Sequence, residues 1–207
     1  MHDTIITLSR QYGSGGRVVG RQLAESLGIP YYDRELIEMA AKESGYSEEV
    51  LNELDEKPNS LLYALSTGMY SGSSGFDYET AMPMNDRLFF IQSSIIRRLA
   101  KQGSCVIIGR CADFVLRHNP DVIRVFVQAD LPFRVKRATE VYGLSPDRAE
   151  AIVQRTDRQR ASYHNFYADY KWGKPENYNL IVDSGFVGLE NAAKVIEQYV
   201  RFRAERP

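Results

Sequence analysis

Three glycines stand within four residues near the start of the chain, in the run Gly13-Ser14-Gly15-Gly16, and Arg17 follows them directly. Glycine adopts left-handed backbone conformations at little steric cost, so such a run lets successive N–H groups converge on one point. A helix that begins there adds the positive end of its dipole. The pattern favours an anion-binding nest over a plain tight turn, for which one glycine would be enough.

Arginine is the second residue type whose spacing suggests chemistry. Residues 155–160 read Arg-Thr-Asp-Arg-Gln-Arg, the strongest local concentration of charge in the chain. On a helix, Arg148, Arg155 and Arg158 share a face. That face is either a solvated surface with carboxylate partners or a set of cations facing an anion, and spacing alone does not separate the two.

Hydrophobic periodicity predicts the elements that must position these residues. Short apolar runs predict buried strands at 4–8, 29–32, 105–108, 122–127 and 180–182. Helices are predicted between the strands and after the last one, at 19–27, from Asp33 onward, and at 86–101, 131–142, 146–170 and 189–203. The glycine- and serine-bearing stretch at 67–84 shows no sustained period and is interpreted as a mobile loop.

Apolar strands that alternate with helices indicate a parallel sheet covered on both faces. In such a sheet ligands bind beyond the carboxyl ends of the strands. This rule selects residues 9–17, 33–34, 109–113 and 183–184 as the places where a site is expected.

Composition limits the class of protein. The 207 residues are 43% hydrophobic and 26% charged, which excludes disorder as the overall state. Because 26 Lys and Arg face 27 Asp and Glu, no global field attracts nucleic acid or an anionic membrane. Cys105 and Cys111 lack the spacing of a zinc site or a disulfide framework. Without a signal-peptide pattern or a long apolar run, a cytoplasmic location is expected.

Residues 4–27 resemble the opening of bacterial cytidylate kinases, which are P-loop nucleoside monophosphate (NMP) kinases. The resemblance continues through Tyr32-Asp33, Gly109-Arg110, residues 155–160 and Val182-Asp183-Ser184. It extends to the offshoot described as cytidylate kinase-like, whose loop also reads like Ser-Arg-Gln-Tyr-Gly-Ser-Gly-Gly-Arg. The implied fold is a three-layer α/β P-loop NTPase fold, a five-stranded parallel sheet flanked by helices, with NMP-binding and lid segments.

The resemblance also implies a domain organisation. Residues 1–207 would form one domain, with a core at 1–33 and 103–207. An NMP-side insertion would span about 34–102, and an arginine-bearing lid about 143–172.

The implied activity is transfer of the γ-phosphoryl group of ATP to a small acceptor, with a nucleoside monophosphate as that acceptor and Mg²⁺ as the expected metal. Catalysis would fall to Arg17, Arg155 and Arg158. Donor phosphates would be bound by Arg10, Gly13, Ser14, Gly15, Gly16, Arg17, Arg134 and Arg137, and the acceptor by Asp33, Arg110, Asp157 and Arg160. The arginines of these sets are expected to converge on one cleft, and no residue is assigned to a metal.

The loop departs from the standard phosphate loop. Gly16 occupies the position of the usual lysine, and Arg17 or Val18 that of the hydroxyl that ligates Mg²⁺. Arg10 stands at the first glycine position. Because a guanidinium grips phosphate bidentately, Arg17 is expected to replace the lysine. Ser14 lies close to the hydroxyl position without replacing it.

Two further departures concern the acceptor. The third strand ends Ile108-Gly109-Arg110-Cys111, with Asp113 as the nearest acid. In the lid segment, Gln159 and Ser162 replace an acid and an arginine of the cytidylate pattern. These changes argue against cytidylate as the acceptor. They leave open a nucleotide- or phosphate-binding module that has lost transfer, and a kinase for a non-nucleotide metabolite.

Several residues have simpler interpretations. Asp33 is a candidate helix cap, Arg110 a candidate surface ion pair, and Arg134 and Arg137 candidates for helix-face ion pairs. The aromatic run at 163–172 could pack the lid helix or a homodimer partner, or stack on a base. His118 and His164 receive no role, because neither has a partner pattern.

Overall fold

A five-stranded parallel sheet forms the centre of the computed structural model, which describes residues 3–55 and 83–205. The strands lie side by side in the order β2-β3-β1-β4-β5, and every neighbouring pair is parallel. Their bounds are β1 Ile5–Arg10, β2 Tyr31–Tyr32, β3 Cys105–Ile108, β4 Val122–Gln128 and β5 Leu180–Asp183. The sequence prediction of an α/β fold with five parallel strands is confirmed.

Helices cover both faces of the sheet. Those in the first described range are α1 Gly16–Leu27, α2 Glu35–Ser44 and α3 Glu48–Leu54. Those in the second are α4 Met84–Gln102, α5 Ala112–Val115, α6 Leu131–Glu140, α7 Pro146–Tyr167, α8 Ser184–Val187 and α9 Leu189–Ala204, with a 3₁₀ turn at Pro175–Asn177. None of these helices is both long enough and apolar enough to cross a membrane.

The two-residue alternation of a strand divides its apolar side chains between two cores. In β1, Ile6 and Leu8 join the core beneath α1 and α9, whereas Ile5 joins the core formed with α2 and α4. In β3, Val106 and Ile107 divide in the same way. Burial on both faces explains why β3 is apolar throughout and why neighbouring residues of β1, Ile5 and Ile6, are both apolar although they face opposite sides of the sheet.

The element bounds differ from the sequence prediction at functionally important points. Strand β1 continues to Arg10, whose side chain is buried, rather than ending at residue 8. The capping interpretation of Asp33 is wrong: the N-cap of α2 is Arg34, with no side-chain cap bond. Most of the loop predicted at 67–84 falls outside the described residues, and Met84 already begins α4.

The aromatic run at the end of α7 packs within the chain. Tyr163 is buried in the core, and the ring of Tyr167 stacks on Phe89 with centroids 3.9 Å apart. Trp172 meets Phe126 edge-on at 5.1 Å. These contacts fit the packing interpretation of the run and anchor α7 over the sheet.

Candidate functional site

The glycine-rich loop leaves the carboxyl end of β1 and turns directly into α1. Gly13 and Gly15 have φ angles of 82° and 77°, in the left-handed region that favours glycine. A Cβ on Gly13 would lie 2.6 Å from the carbonyl oxygen of Arg134, and one on Gly16 would lie 2.6 Å from Cβ of Arg10. The glycines therefore provide both the backbone turn and the close approach of neighbouring elements.

A pocket of about 100 Å³ opens over this loop. Its cationic walls are Arg10, Arg17 and Arg160, and the rings of Tyr12 and Tyr142, with centroids 5.5 Å apart, lie beside them. Gly16 and Arg17, the first two residues of α1, line the same pocket, and the first N–H groups of a helix are the ones that can donate to an anion. None of the described residues lining the pocket is acidic, so its chemistry is that of an oxyanion site.

Arg160 is the arginine of the 155–160 segment that reaches the pocket. Its Nη1 donates to the carbonyl of Arg10 at 3.1 Å, and its guanidinium lies 5.7 Å from the ring centroid of Tyr12. Arg155 and Arg158 are exposed on α7. Around the helix axis, Arg155 lies about 160° from Asp157, and Arg158 lies about 160° from Arg160. The structure does not bring these two into the pocket, and their catalytic role stays a prediction.

Arg134 and Asp157 fasten the glycine-rich loop from outside the pocket. The Nε of Arg134 donates to the carbonyl of Ala129 at 2.9 Å, and its Nη1 donates to the carbonyl of Tyr12 and pairs with Asp157. Asp157 accepts in turn from the N–H of Tyr12 at 2.7 Å. Burial raises the pKa of Asp157 even though Arg134 opposes the shift. The pair ties α6, α7 and the loop together.

Arg137 lies beside Gly15 of the glycine-rich loop, where the donor phosphates are predicted to bind. Its Nε would lie 3.3 Å from a Cβ placed on Gly15, and that nitrogen is buried without a hydrogen-bond partner among the described residues. The guanidinium lies 6.0 Å from the ring centroid of Tyr142. Arg137 therefore flanks the glycine-rich loop on the side of α6.

A buried ionic network adjoins the pocket. Arg110, only 2% exposed, pairs through Nη1 with Asp33 at 3.0 Å and through Nη2 with Asp55 at 2.7 Å. The Nε of Arg17 lies 2.8 Å from the other carboxylate oxygen of Asp33. The surface ion pair considered for Arg110 is wrong, because the side chain is buried at the centre of this network. Asp33 thus links Arg17 at the pocket to Arg110.

The charge of Asp33 is fixed by its arginines. Burial alone would raise the pKa of this carboxyl, but Arg110, Arg10 and Arg17 outweigh burial and lower the pKa below its ordinary value of 3.8. A carboxyl whose pKa is lowered by folding stabilises the folded state above its unfolded pKa, and that contribution disappears as the pH falls through the folded pKa.

Asp33→Asn is therefore expected to cost about 2–3 kcal/mol of unfolding free energy at pH 7. The difference from the parent protein should narrow as the pH falls below about 4, because the unfolded chain then protonates Asp33 and the folded parent follows at a lower pH. Urea unfolding at several pH values measures the difference. Glu53→Gln, an exposed carboxyl on α3, serves as the control and should change little. A constant difference from pH 7 to pH 3 would contradict this account.

The turn after β3 is strained. Gly109, Arg110 and Cys111 have consecutive φ angles of 66°, 50° and 53°, and two of the three are not glycine. Immediately beyond this turn, Oδ2 of Asp113 lies 2.9 Å from Nε2 of His164 on α7, at hydrogen-bond distance. Both side chains are buried. The Asp113–His164 pair fixes this turn against α7 and so helps to hold Arg110 in position.

The described residues do not fit a magnesium ion held by the protein itself. No group of three His, Cys, Asp or Glu side chains within 3–55 and 83–205 could hold a metal. Ser14 is fully buried and its hydroxyl donates to the carbonyl of Gln11 at 2.8 Å. Asp33 already faces two guanidinium groups. The cationic pocket, in contrast, is lined by the groups that suit an oxyanion.

Sequence reasoning missed Asp55, Tyr12 and the Asp113–His164 pair. Tyr12 stands inside the glycine-rich loop, and that position is a signal that could have identified it. The other contacts have no local signal, because Asp55 lies 55 residues from Arg110 and His164 lies 51 residues from Asp113.

Comparison with solved structures places these features among known proteins. An uncharacterized protein from Eubacterium ventriosum ATCC 27560 is 32% identical, with a TM-score of 0.73 over 97% of this chain and 99% of that one. Shikimate kinase from Acinetobacter baumannii, solved in complex with shikimate, is 13% identical, with a TM-score of 0.55 over 100% and 97% of the two chains.

A gluconokinase from Sinorhizobium meliloti 1021 is 15% identical, with a TM-score of 0.51 over 98% of each chain. At this level of identity the two kinases show a shared fold. No curated protein matches the chain. The model of the cytidylate kinase-like family matches residues 5–185, which include the glycine-rich loop, the Arg110 network and α7. The chain therefore belongs to the cytidylate kinase-like family.

Proposed function

We propose that the protein transfers the γ-phosphoryl group of ATP to a small acceptor, and that this acceptor is a nucleoside monophosphate. The observation that carries the proposal is the cationic pocket formed by the glycine-rich loop with Arg10, Arg17 and Arg160. The family membership and the kinase fold agree with phosphoryl transfer in general.

The reaction would depend on positioning and on neutralising charge. A phosphate oxygen of the acceptor dianion attacks the γ-phosphorus of ATP, and the bond between that phosphorus and the β–γ bridging oxygen breaks, so that ADP leaves with the bonding electron pair. Arg17 replaces the usual lysine beside the transferring group, and its contact with Asp33 at 2.8 Å links donor and acceptor sides. Magnesium would come to the site with ATP, since the described residues offer it no fitting ligand set.

The proposal includes the surroundings of the reaction. ATP and a small nucleotide are the partners, in the cytoplasm, and neither nucleic acid nor a membrane takes part. The net charge of −1 supports the exclusion of nucleic acid and membranes, because the arginines of the pocket are a local concentration and not part of a generally basic surface.

A panel of nucleoside monophosphates incubated with ATP and Mg²⁺, with product diphosphates separated by chromatography, tests the proposal. Turnover of one or more acceptors is expected. A folded protein that turns over none of them contradicts it. Transfer to a hydroxylated metabolite alone would assign the activity to a kinase for a non-nucleotide acceptor.

A second candidate is a phosphate- or nucleotide-binding module that no longer transfers phosphate. The absence of the loop lysine and the poor fit of the described residues to Mg²⁺ favour it. ATP binding that is indifferent to Mg²⁺, without any transfer product, would support this candidate. Calorimetric titration with ATP in the presence and absence of Mg²⁺ distinguishes the two.

Arg160→Ala is expected to lower transfer at least about 10²-fold, because Arg160 reaches the pocket and can stabilise charge there. Arg148→Ala removes the same charge from the same helix at an exposed position and is expected to have a much smaller effect. Steady-state kinetics of both variants with the best acceptor measure the difference. Equal losses by the two variants would contradict the role given to Arg160.

A further inference from the structure

Arg110 is the arginine expected to bind the acceptor phosphate, yet a carboxylate already occupies one of its terminal nitrogens. Asp55, the residue that ends α3, places Oδ2 2.7 Å from Nη2 of Arg110. Its other oxygen accepts from Nε2 of Gln92 on α4 at 3.3 Å. Arg110 is 2% exposed, so an anion that binds Nη2 in the position of Asp55 must displace that carboxylate.

The two carboxylates on Arg110 are held unequally. Asp33 pairs with both Arg110 and Arg17, and its side chain is 8% exposed. Asp55 contacts one guanidinium and the neutral amide of Gln92, and its side chain is 16% exposed. Asp55 is the C-cap residue of the short helix α3, whereas Asp33 directly follows β2. Asp55 is therefore the carboxylate that can be displaced.

Charge balance indicates what would displace it. Arg110, Arg10 and Arg17 all act electrostatically on Asp33, so cations predominate around this carboxylate among the described residues. A phosphate dianion added beside both carboxylates would meet repulsion from each of them in a buried setting. A phosphate dianion that takes the place of Asp55 avoids one of these repulsions and brings a second negative charge to Arg110.

We propose that Asp55 occupies the acceptor's anionic position on Arg110 and that the acceptor binds by displacing it. This inference rests on the proposed function. It requires the acceptor to carry a phosphate monoester group, as a nucleoside monophosphate does. A neutral polyol cannot replace the charge of Asp55, and a monoanionic carboxylate replaces it without electrostatic gain. A dianionic phosphate gains a second charge and a bidentate grip on the guanidinium.

The test is calorimetric titration with inorganic phosphate, in the presence of a non-hydrolysable ATP analogue that fills the loop pocket. Asp55→Asn is expected to bind phosphate at least about tenfold more tightly than the parent protein, since the competing charge is removed. Glu53→Gln, which removes one exposed charge from the same helix, should bind phosphate like the parent. Any phosphate bound at the loop is common to all three proteins and cancels from the comparison.

Two further variants separate displacement from a merely structural effect. Gln92→Met removes the other hydrogen bond on Asp55 and should strengthen phosphate binding by a smaller factor. Adding Arg110→Met to Asp55→Asn should abolish the gain. Unchanged or weaker phosphate binding by both Asp55→Asn and Gln92→Met overturns the inference, as does a gain that persists without Arg110.

The outcome is separable from that of the proposed function. Tighter phosphate binding by Asp55→Asn without any transfer from ATP would uphold displacement and contradict the kinase activity. Transfer to a nucleoside monophosphate, with no change in the phosphate affinity of Asp55→Asn, would uphold the kinase activity and contradict displacement. Melting temperatures of all variants establish that each measurement is made on folded protein.

Discussion

Arg17→Ala is expected to lower kcat/KM for phosphoryl transfer by about 10³-fold while the protein stays folded. Arg17 is the cation at the start of α1, on the wall of the loop pocket, directly after Gly16, which occupies the lysine position of the standard phosphate loop. Its side chain is 54% exposed, so removing it leaves no cavity in the core. The loss should therefore fall on the transition state and not on the fold.

Arg21→Ala is the matched control for this variant. Arg21 lies one turn further along α1, is exposed, and lies over the ring of Tyr31 at 4.9 Å. It should retain nearly full activity. Arg17→Lys should recover part of the loss, because it restores the charge without the bidentate geometry. Activity of Arg17→Ala within tenfold of the parent would remove Arg17 from the proposed mechanism.

Arg134→Met is expected to destabilise the protein by about 3–5 kcal/mol, because it leaves Asp157 buried without its guanidinium partner. It also removes the donors to the carbonyls of Ala129 and Tyr12, so the loop loses its attachment to α6. Urea unfolding at pH 7 measures the loss. Donor binding should weaken with it, since the loop pocket depends on that attachment.

Arg148→Ala, an exposed arginine on α7, is the control and should change stability by less than about 0.5 kcal/mol. A double variant, Arg134→Met with Asp157→Leu, should recover part of the loss, because no buried charge then remains unpaired. A single Arg134→Met variant as stable as the parent would show that the contacts of Arg134 do not hold the loop.

Local patterns were sufficient to predict the sheet and the glycine-rich loop. Strands β1 and β3 are apolar at consecutive positions because both of their faces are buried, and this signal needs no knowledge of the neighbours. Gly13 and Gly15 likewise indicate a backbone conformation that other residues resist. Arg10 shows the limit of such patterns. A charged residue predicts that a strand has ended, yet β1 includes Arg10 as its last residue and the side chain is buried.

Asp33 could be located but not interpreted from sequence. Its position after β2 placed it at the carboxyl edge of the sheet, which the structure confirms. Whether it caps α2 or pairs with arginines depends on which cations reach it. Arg17 comes from α1 and Arg110 from the turn after β3, 77 residues along the chain.

The arginines show most clearly where sequence reasoning ended. An arginine side chain is long and flexible, so composition and helical spacing identify a set of cations without giving their directions. In the folded chain Arg160 reaches the pocket, Arg155 and Arg158 face solvent, and Arg134 is used to hold the loop. The local sequence specified the strands and the glycine turn because each depends on neighbouring residues. The partner of each charge depends on packing between distant elements, and only the folded chain brings Asp55 to Arg110 or Asp157 to Tyr12.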